Sequence, residues 1–284
     1  MLDNRIHTFL KLCEVGNYRI TAEMLNMTQP AVTQHIHFLE QQYGCKLFEY
    51  KDRKLFKTPE CLELEKHALA IVYNDEFFKG EISKPKVKKI AIGATKTIGE
   101  YVIFDKVQKL LLRDDVKLEL AVDNTKRLME RLHALELDIL MVEGYFDKNE
   151  YSSVLIKKED IVGICGKTHP FAGKSVDISE IFQWHLILRE KGSGTRSVFE
   201  SFLKQNNFST ESFEKISEIS SMSVIEKAVE GGNGISFVYQ SVPKSNKKLA
   251  TFKIKNAKIT HEFNYVFLKN ANVKWVIDAI ESEI

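Results

Sequence analysis

The sequence predicts a multidomain protein: a winged helix-turn-helix domain, then a long linker helix, then a larger α/β domain. Two short helical patterns meet at Asn26-Met27-Thr28, which leaves room only for a sharp corner between helices. A hairpin pattern and then an apolar helical repeat follow them. From about residue 87, strand and helix patterns alternate to the end of the chain. A length of 284 residues suits two or three domains.

The first 58 residues predict three helices, each bounded by residues that start or stop a helix. The predicted ranges are 3–15, 19–25 and 29–43. Thr28 caps the third helix, and Pro30 lies in its first turn, where a missing N–H costs nothing. Gly44 ends it.

The third helix has two different sides. Its apolar side should pack against the first two helices, through Val32, Ile36 and Leu39 against Phe9, Ala22 and Leu25. Its polar side carries Gln29, Thr33 and His37 at helical spacing, with Pro30 and Gln34 beside them. Most polar helix faces are merely solvated, but those usually mix Lys and Glu, whereas these side chains are short or carry amides. We therefore expect this side to enter the major groove of DNA.

Residues 47–58 predict the wing, two short strands around the polar turn at 51–53. Positions 46–57 hold five basic and two acidic residues, a local charge of +3. The whole chain carries only +2, so affinity for nucleic acid must come from such a local patch. We expect the wing to meet phosphates.

A long helix is predicted from Pro59 to about Ile82, because apolar residues recur there at spacings of three and four. The repeat consists of Cys61, Leu64, Ala68, Ile71, Asp75 and Phe78, widened by Leu62, Leu69, Val72 and Tyr73. A helix with this much apolar surface must bury it against a partner, and we interpret it as a dimerisation helix. A helix packed on its own chain stays open as the alternative. Residues 83–86 are interpreted as a linker.

The remaining sequence predicts a parallel α/β sheet, since strands alternate with helices. The expected strands are 87–94, 116–122, 138–142, 160–165, 185–188, 235–239, 249–254 and 263–268. The expected helices are 98–112, 125–135, 196–206, 222–229 and 273–283.

Several classes of protein fit the sequence poorly. An enzyme is not expected, because Ser193 lies in no Gly-x-Ser-x-Gly elbow and the eight histidines show no metal spacing. No cofactor or metal is expected either, and the four scattered cysteines suggest buried, reduced thiols. Without an apolar run of roughly 20 residues we expect no membrane span and a cytoplasmic protein. A pure solute-binding protein would leave residues 1–58 without a role and would want an export signal.

A resemblance to a known family rests on specific motifs. Residues 22–36 read Ala-Glu-Met-Leu-Asn-Met-Thr-Gln-Pro-Ala-Val-Thr-Gln-His-Ile, and Lys-Leu-Phe follows at 46–48. Residues 137–144 and 168–172 supply further matches downstream. The chain resembles LysR-type transcriptional regulators over almost its full length. It departs from them at Thr21 and Cys61, where the family usually has Ala and Gly, and neither position is on the expected DNA-facing side.

The resemblance implies a symmetric dimer whose winged domains each enter a major groove of operator DNA. Gln29, Pro30 and Thr33 would contact bases, Gln34 and His37 would add contacts, and Thr28 and Arg53 would face phosphate or the minor groove. Gln offers a donor and an acceptor to adenine, and Pro30 suits a thymine methyl group. The implied protein partners are RNA polymerase and copies of the chain itself, as a homodimer through 59–82 and a homotetramer.

For residues 87–284 the resemblance implies an effector domain like a periplasmic binding protein, which holds a small ligand in its cleft. Its subdomains would be 87–160 with 266–284, and 161–265, with crossovers near 158–160 and 264–265. Strand ends run into helix starts at 93–99 and 188–196, and the second motif resembles a sub-group that includes regulators of sulfur assimilation and carbon fixation. The expected effector-binding residues are Thr95, Lys96, Thr97, Asn124, Glu143, Ser193, Gly194 and Thr195. Helix N-termini and hydroxyls favour a small oxyanion or carboxylate as the effector.

Overall fold

The computed structural model describes residues 2–83 and 87–282, which form two compact units. The first unit holds the N-terminal part of the chain together with Leu268–Asn272, and the second holds the rest. The predicted linker at 84–86 and the predicted helix end at 283 lie outside the described residues. Within the described ranges, no helix has the length and apolar character that crossing a membrane requires.

The described secondary structure comprises twelve helices, twelve strands and one 3₁₀ turn at Thr210–Ser212. Helices α1 to α12 are Asn4–Val15, Tyr18–Met24, Gln29–Tyr43, Pro59–Ser83, Lys96–Tyr101, Phe104–Leu111, Thr125–His133, Ile178–Ile181, Gly194–Gln205, Met222–Glu230, Ser241–Ser245 and Lys274–Glu281. Strands β1 to β12 are Phe48–Lys51, Lys54–Lys57, Lys88–Thr95, Val116–Asp123, Ile139–Glu143, Tyr151–Gly166, Ser175–Val176, Leu186–Leu188, Ile216–Glu218, Ser236–Tyr239, Leu249–Ile254 and Ile259–Leu268.

Local capping sets the boundaries of α1, α2 and α3. The side chains of Asn17 and Thr28 accept hydrogen bonds from Ile20 N–H and Ala31 N–H, at 3.1 and 3.3 Å. Asn26 has a φ of 53°, the left-handed conformation that turns the chain between α2 and α3. The predicted packing is confirmed for Val32, Ile36 and Leu39 against Phe9 and Ala22, all of which are buried, while Leu25 is half-buried.

A buried carboxylate ties α3 to the start of the wing. Glu40 accepts hydrogen bonds from Leu47 N–H at 3.0 Å, Lys46 Nζ at 2.8 Å and His37 Nδ1 at 3.2 Å. Burial alone would raise the pKa of Glu40, but the bonds from Lys46 and Leu47 outweigh burial and lower it. The carboxylate therefore stays ionised and fixes the wing beside the polar side of α3.

The wing itself is a tight hairpin. Strands β1 and β2 pair antiparallel from Phe48↔Lys57 to Lys51↔Lys54, so only Asp52 and Arg53 form the turn. Both have positive φ angles, 48° and 62°, as a type I′ turn requires. The turn projects Arg53, which is exposed, at the tip of the hairpin.

Helix α4 has two apolar faces with different surroundings. One face is buried within the first unit, through Cys61, Ala68, Leu69, Val72 and Tyr73. The predicted repeat placed Cys61 and Ala68 in a dimer interface. This was wrong, because both side chains are buried inside the unit to which α4 belongs. Cys61 Sγ lies 3.7 Å from Cys13 Sγ, and both are free thiols. The other face leaves Ile71, Phe78 and Ile82 exposed, by 49%, 61% and 66%.

The second unit is built on one eight-stranded sheet with the order β4-β3-β5-β12-β6-β11-β7, and β10 also pairs with β6. The expected parallel sheet is wrong: β3 pairs parallel with β4 and β5, but β12 pairs antiparallel with β5, as do β10 and β11 with β6. Strand β12 begins at Ile259, far along the chain from the end of β5 at Glu143, so the local alternation of strand and helix that predicts parallel neighbours does not set the direction in which these two strands pair. Strands β8 and β9 form a separate parallel pair.

Two predicted elements differ in extent. The strand expected over 160–165 is the second half of the sixteen-residue β6. The helix expected over 98–112 is two helices, because Val102, with φ −125°, leaves helical geometry and Ile103 is buried in the core. No sequence pattern indicated β7, β9, α8 or α11, which are only two to five residues long.

Glu40→Ala should loosen the helix–wing junction, because it leaves the N–H of Leu47 buried without a partner. The expected cost is about 2 kcal/mol, which corresponds to a roughly 30-fold larger population of molecules with an opened helix–wing junction. Hydrogen exchange of amides in residues 29–57 would measure it. Glu49→Ala, on the exposed wing beside Lys51, is the matched control and should change exchange little. Equal effects of the two substitutions would contradict the role assigned to Glu40.

Candidate nucleic-acid interface and effector site

The polar side of α3 forms a continuous, open surface. Five side chains line a shallow depression of ≈ 550 Å³, namely Gln29, Pro30, Thr33, Gln34 and His37. All are exposed except Thr33, which is half-buried. The opposite side of the helix is the core side, so the structure separates the two sides as the sequence predicts.

The hydrogen-bonding groups on this surface differ in their availability. Thr33 Oγ1 donates to the Gln29 carbonyl at 3.0 Å, which fixes its rotamer and leaves its lone pairs outward. Within 2–83 and 87–282, no hydrogen bond occupies the side-chain amides of Gln29 and Gln34. An unoccupied amide presents a donor and an acceptor together, the pattern that matches adenine in the major groove.

Two further predicted residues flank the depression. Thr28 is exposed, and its oxygen accepts the capping bond from Ala31, which leaves the hydroxyl proton to donate elsewhere. Arg53 carries its cation at the wing tip. The helix N-terminus, a hydroxyl and a guanidinium are groups that bind phosphate oxygens.

The predicted effector residues meet in the second unit at the carboxyl ends of parallel strands. The register pairs Thr95 with Asp123 and Ala94 with Met141, so β3, β4 and β5 end along one edge. Thr95 contacts the carboxyl of Glu143 through its hydroxyl, and both residues are buried. Asn124, at the end of β4, accepts the capping bond of α7 from Arg127 N–H at 3.0 Å.

A close backbone contact joins this edge to α9. Gly144 has a φ of 115°, and a Cβ on it would lie 2.6 Å from the Gly194 Cα. A Cβ on Gly194 would overlap the Glu143 carbonyl. Across this contact the hydroxyls of Thr97 and Thr195 are 3.3 Å apart. Only glycine permits so close an approach of two backbones.

The N-terminus of α9 is left without a side-chain cap. Ser193 occupies the cap position but makes no capping bond, and its buried Oγ has no hydrogen-bond partner among the described residues. A buried hydroxyl usually finds a partner, and an unpaired one costs about 1–3 kcal/mol. Together with the free N–H groups of the first turn, it makes this end of α9 suited to an anion.

Sequence reasoning missed Arg189, which directly follows β8 and is 3% exposed. Its Nε and Nη2 donate to Glu190 at 2.8 and 3.1 Å, while its buried Nη1 has no partner in the described part of the chain. Lys96 Nζ also bonds to Glu190, at 3.1 Å, and to the Ser220 carbonyl at 2.8 Å. The signal in the sequence was an arginine placed immediately after an apolar strand.

The charges around the site favour a negative ligand. Burial raises the pKa of Glu143 to about 8, against the opposing effects of Arg189 and Thr97. Burial would also raise the pKa of Glu190, but its bonds with Arg189 and Lys96 lower it instead. At neutral pH Glu143 is therefore mostly protonated and adds no negative charge. The cations Arg189 and Lys96 face the carboxylate of Glu190 and the carboxyl of Glu100, whose pKa burial also raises. No group of three or more His, Cys, Asp or Glu in the described ranges could hold a metal ion.

Comparison with known proteins identifies both parts of the chain. Residues 4–62 match the model of the bacterial regulatory helix-turn-helix protein, lysR family, and residues 84–284 match the LysR substrate binding domain. The HTH-type transcriptional regulator CysL of Bacillus subtilis (strain 168) is 29% identical over 271 residues, 92% of this chain and 89% of CysL. A probable RuBisCO transcriptional regulator of Thalassiosira pseudonana is 23% identical over 99% of this chain and 95% of its own length.

Among solved structures, the Synechocystis PCC6803 CcmR regulatory domain in complex with 2-PG superimposes with a TM-score of 0.61 at 21% identity. The match covers 68% of this chain and 95% of the CcmR domain. The expected sub-group is confirmed by these relatives, and the effector domain has the expected two-subdomain fold. The family models together span nearly the whole sequence, and the chain belongs to the LysR family of transcriptional regulators, not to a family of enzymes.

Proposed function

We propose that this regulator binds operator DNA through α3 and the wing, and that a small anionic metabolite in the effector domain modulates that binding or the transcriptional output. The observation that carries the choice of an anion is the pair of buried, unpartnered donors, Ser193 Oγ and Arg189 Nη1. Ser193 is the residue at the uncapped N-terminus of α9, and Arg189 precedes it by four residues.

The exposed depression on α3 is assigned to contacts with DNA. Gln29, Pro30 and Thr33 contact base edges, Gln34 and His37 add contacts, and Thr28 and Arg53 bind phosphate or the minor groove. The unoccupied amides of Gln29 and Gln34 support this assignment.

On the effector side, the proposal places the anion between the ends of β3 and β5 and the start of α9. Its contacts are assigned to Thr95, Lys96, Thr97, Asn124, Glu143, Ser193, Gly194 and Thr195, with Arg189 added. The CcmR domain, of similar fold, holds 2-PG, which supports a small molecule as the effector. Control then follows from linkage: an effector that binds one geometry of the domain better than another shifts the population toward it.

The proposed assembly uses the exposed face of α4. Ile71, Phe78 and Ile82 share one side of this helix, which supports a homodimer through 59–82. The homotetramer, the contact with RNA polymerase and the subdomain boundaries are proposed from the resemblance. A cytoplasmic location and the domain boundaries are proposed from the sequence patterns. The residues proposed as crossovers, 158–160 and 264–265, lie within the long strands β6 and β12.

Gln29→Ala should weaken specific operator binding by about 1–3 kcal/mol, because it removes a paired donor and acceptor from the bases. Fluorescence anisotropy with DNA from upstream of the gene would measure the loss, and wild-type binding should weaken steeply with salt. Gln42→Ala removes an exposed amide from the far end of the same helix and should have little effect. Equal losses from both substitutions would contradict the assigned face.

Small oxyanions or carboxylated metabolites should bind the full chain in a calorimetric screen, whereas neutral molecules of similar size should not. Ser193→Ala should weaken that binding about tenfold, the worth of one hydrogen bond to a charged group. Ser201→Ala, on the same helix, is the matched control. A screen in which only neutral metabolites bind would refute the anionic effector and leave the DNA-binding proposal standing.

Ile71→Glu should convert the proposed dimer to a monomer, because it places a charge on the exposed apolar face of α4. Sedimentation would report the mass. Leu62→Glu introduces the same charge on another side of the helix, at a residue that is 48% exposed, and should leave the dimer intact. A wild-type monomer, or a dimer that survives Ile71→Glu, would exclude this interface.

A further inference from the structure

We propose that the effector site binds its anion together with one proton, and that the carboxyl of Glu143 holds that proton. This inference rests on the proposed function, since it concerns the anion site at the ends of β3 and β5. It concerns how binding depends on pH, which the proposed function leaves open.

The hydrogen bonding of Thr95 depends on whether Glu143 carries a proton. This buried residue has one hydroxyl proton, and its oxygen contacts the Glu143 carboxyl and lies 3.4 Å from the Met141 carbonyl. An ionised carboxylate only accepts hydrogen bonds, so it holds the Thr95 proton and keeps it from a ligand. A protonated Glu143 donates its own O–H to Thr95 Oγ1, and the Thr95 proton, then bonded only to the Met141 carbonyl at 3.4 Å, can turn to an anion.

A second pair of hydroxyls lies at the same edge of the sheet. Thr97 Oγ1 is 3.3 Å from Thr195 Oγ1, and both residues are buried. A protonated carboxyl donates its one proton to one hydroxyl at a time, so the proton of Glu143 acts through Thr95. The hydroxyls of Thr97 and Thr195 add further groups for an anion at the start of α9.

The charges that face Glu143 also make an ionised carboxylate and a bound anion incompatible. The charged and titratable groups around it are Arg189 after β8, Glu159 on β6 and Tyr239 on β10, while Lys96 on α5 pairs with Glu190. Arg189 is the cation of this set, and its Nη1 has no other partner in the described ranges. An ionised Glu143 and a bound anion would both draw on Arg189 and would repel each other in a buried site. Protonation of Glu143 removes that conflict.

The affinity for the anion is expected to fall as the pH rises. Burial raises the pKa of Glu143 to about 8, so the free protein already carries the proton at pH 7 and loses it above pH 8. If the anion binds only the protonated form, its affinity is constant below pH 8 and falls up to tenfold per pH unit above it. At pH 9 each bound anion should then take up about one proton.

Calorimetry of sulfate with the full wild-type chain between pH 6.5 and 9.5 tests this, since sulfate keeps its charge throughout. Titrations at pH 9 in two buffers of different ionisation enthalpy count the protons taken up. Glu143→Gln should give a flat profile, because its amide N–H donates to Thr95 at every pH. Glu159→Gln removes a neighbouring negative charge but not the bond to Thr95, so the fall should persist and begin at a lower pH.

Sulfate affinity that stays constant to pH 9.5 without proton uptake would overturn this inference while leaving the anionic effector intact. An unchanged fall in Glu143→Gln would also overturn it, because another group would then carry the proton. A complete absence of sulfate binding would overturn it as well, and the separate screen of anions against neutral metabolites would decide the proposed function. If Glu143→Gln does not fold, the proton count on the wild-type chain alone decides.

Discussion

The proposed effector site depends on one contact between two backbones, that of Glu143-Gly144 with Gly194. No side chain larger than hydrogen fits at either glycine, so the ends of β5 and α9 come within direct reach of each other. This approach sets the hydroxyls of Thr97 and Thr195 side by side and encloses the Glu143 carboxyl. The buried donors that lack partners, and the raised pKa of Glu143, both follow from this enclosure.

The DNA-binding unit is stabilised in a different way, by polar bonds local in sequence. Caps at Asn17 and Thr28 set the helix starts, the left-handed Asn26 sets the corner, and Glu40 joins α3 to the wing through Leu47. Because these bonds fix the core side of α3, Gln29 and Gln34 on the opposite side need no structural partner. Its amides can thus remain unoccupied without cost, since water solvates them until a ligand replaces it.

These two kinds of construction explain what the sequence could predict. Helix α3 was predicted to the residue because its cap, first-turn proline and terminal glycine are all local signals. The full extent of β6 was not, because its charged stretch at 157–160 hides a strand that only its sheet neighbours stabilise. The positions of Thr95, Ser193 and Thr195 near one another came from a resemblance. The free Nη1 of Arg189 and the enclosure of Glu143 depend on long-range packing, which periodicity does not encode.

The hairpin turn at Asp52 and Arg53 has a consequence for sequence variation. Both residues hold a left-handed conformation that glycine or asparagine adopts more readily than arginine. A glycine at 53 would relax the backbone by roughly 1 kcal/mol and would delete the cation at the wing tip. If Arg53 binds DNA as proposed, backbone stability and DNA affinity favour different residues at this position. Selection for thermal stability alone would then favour glycine at 53 and weaken binding to the operator.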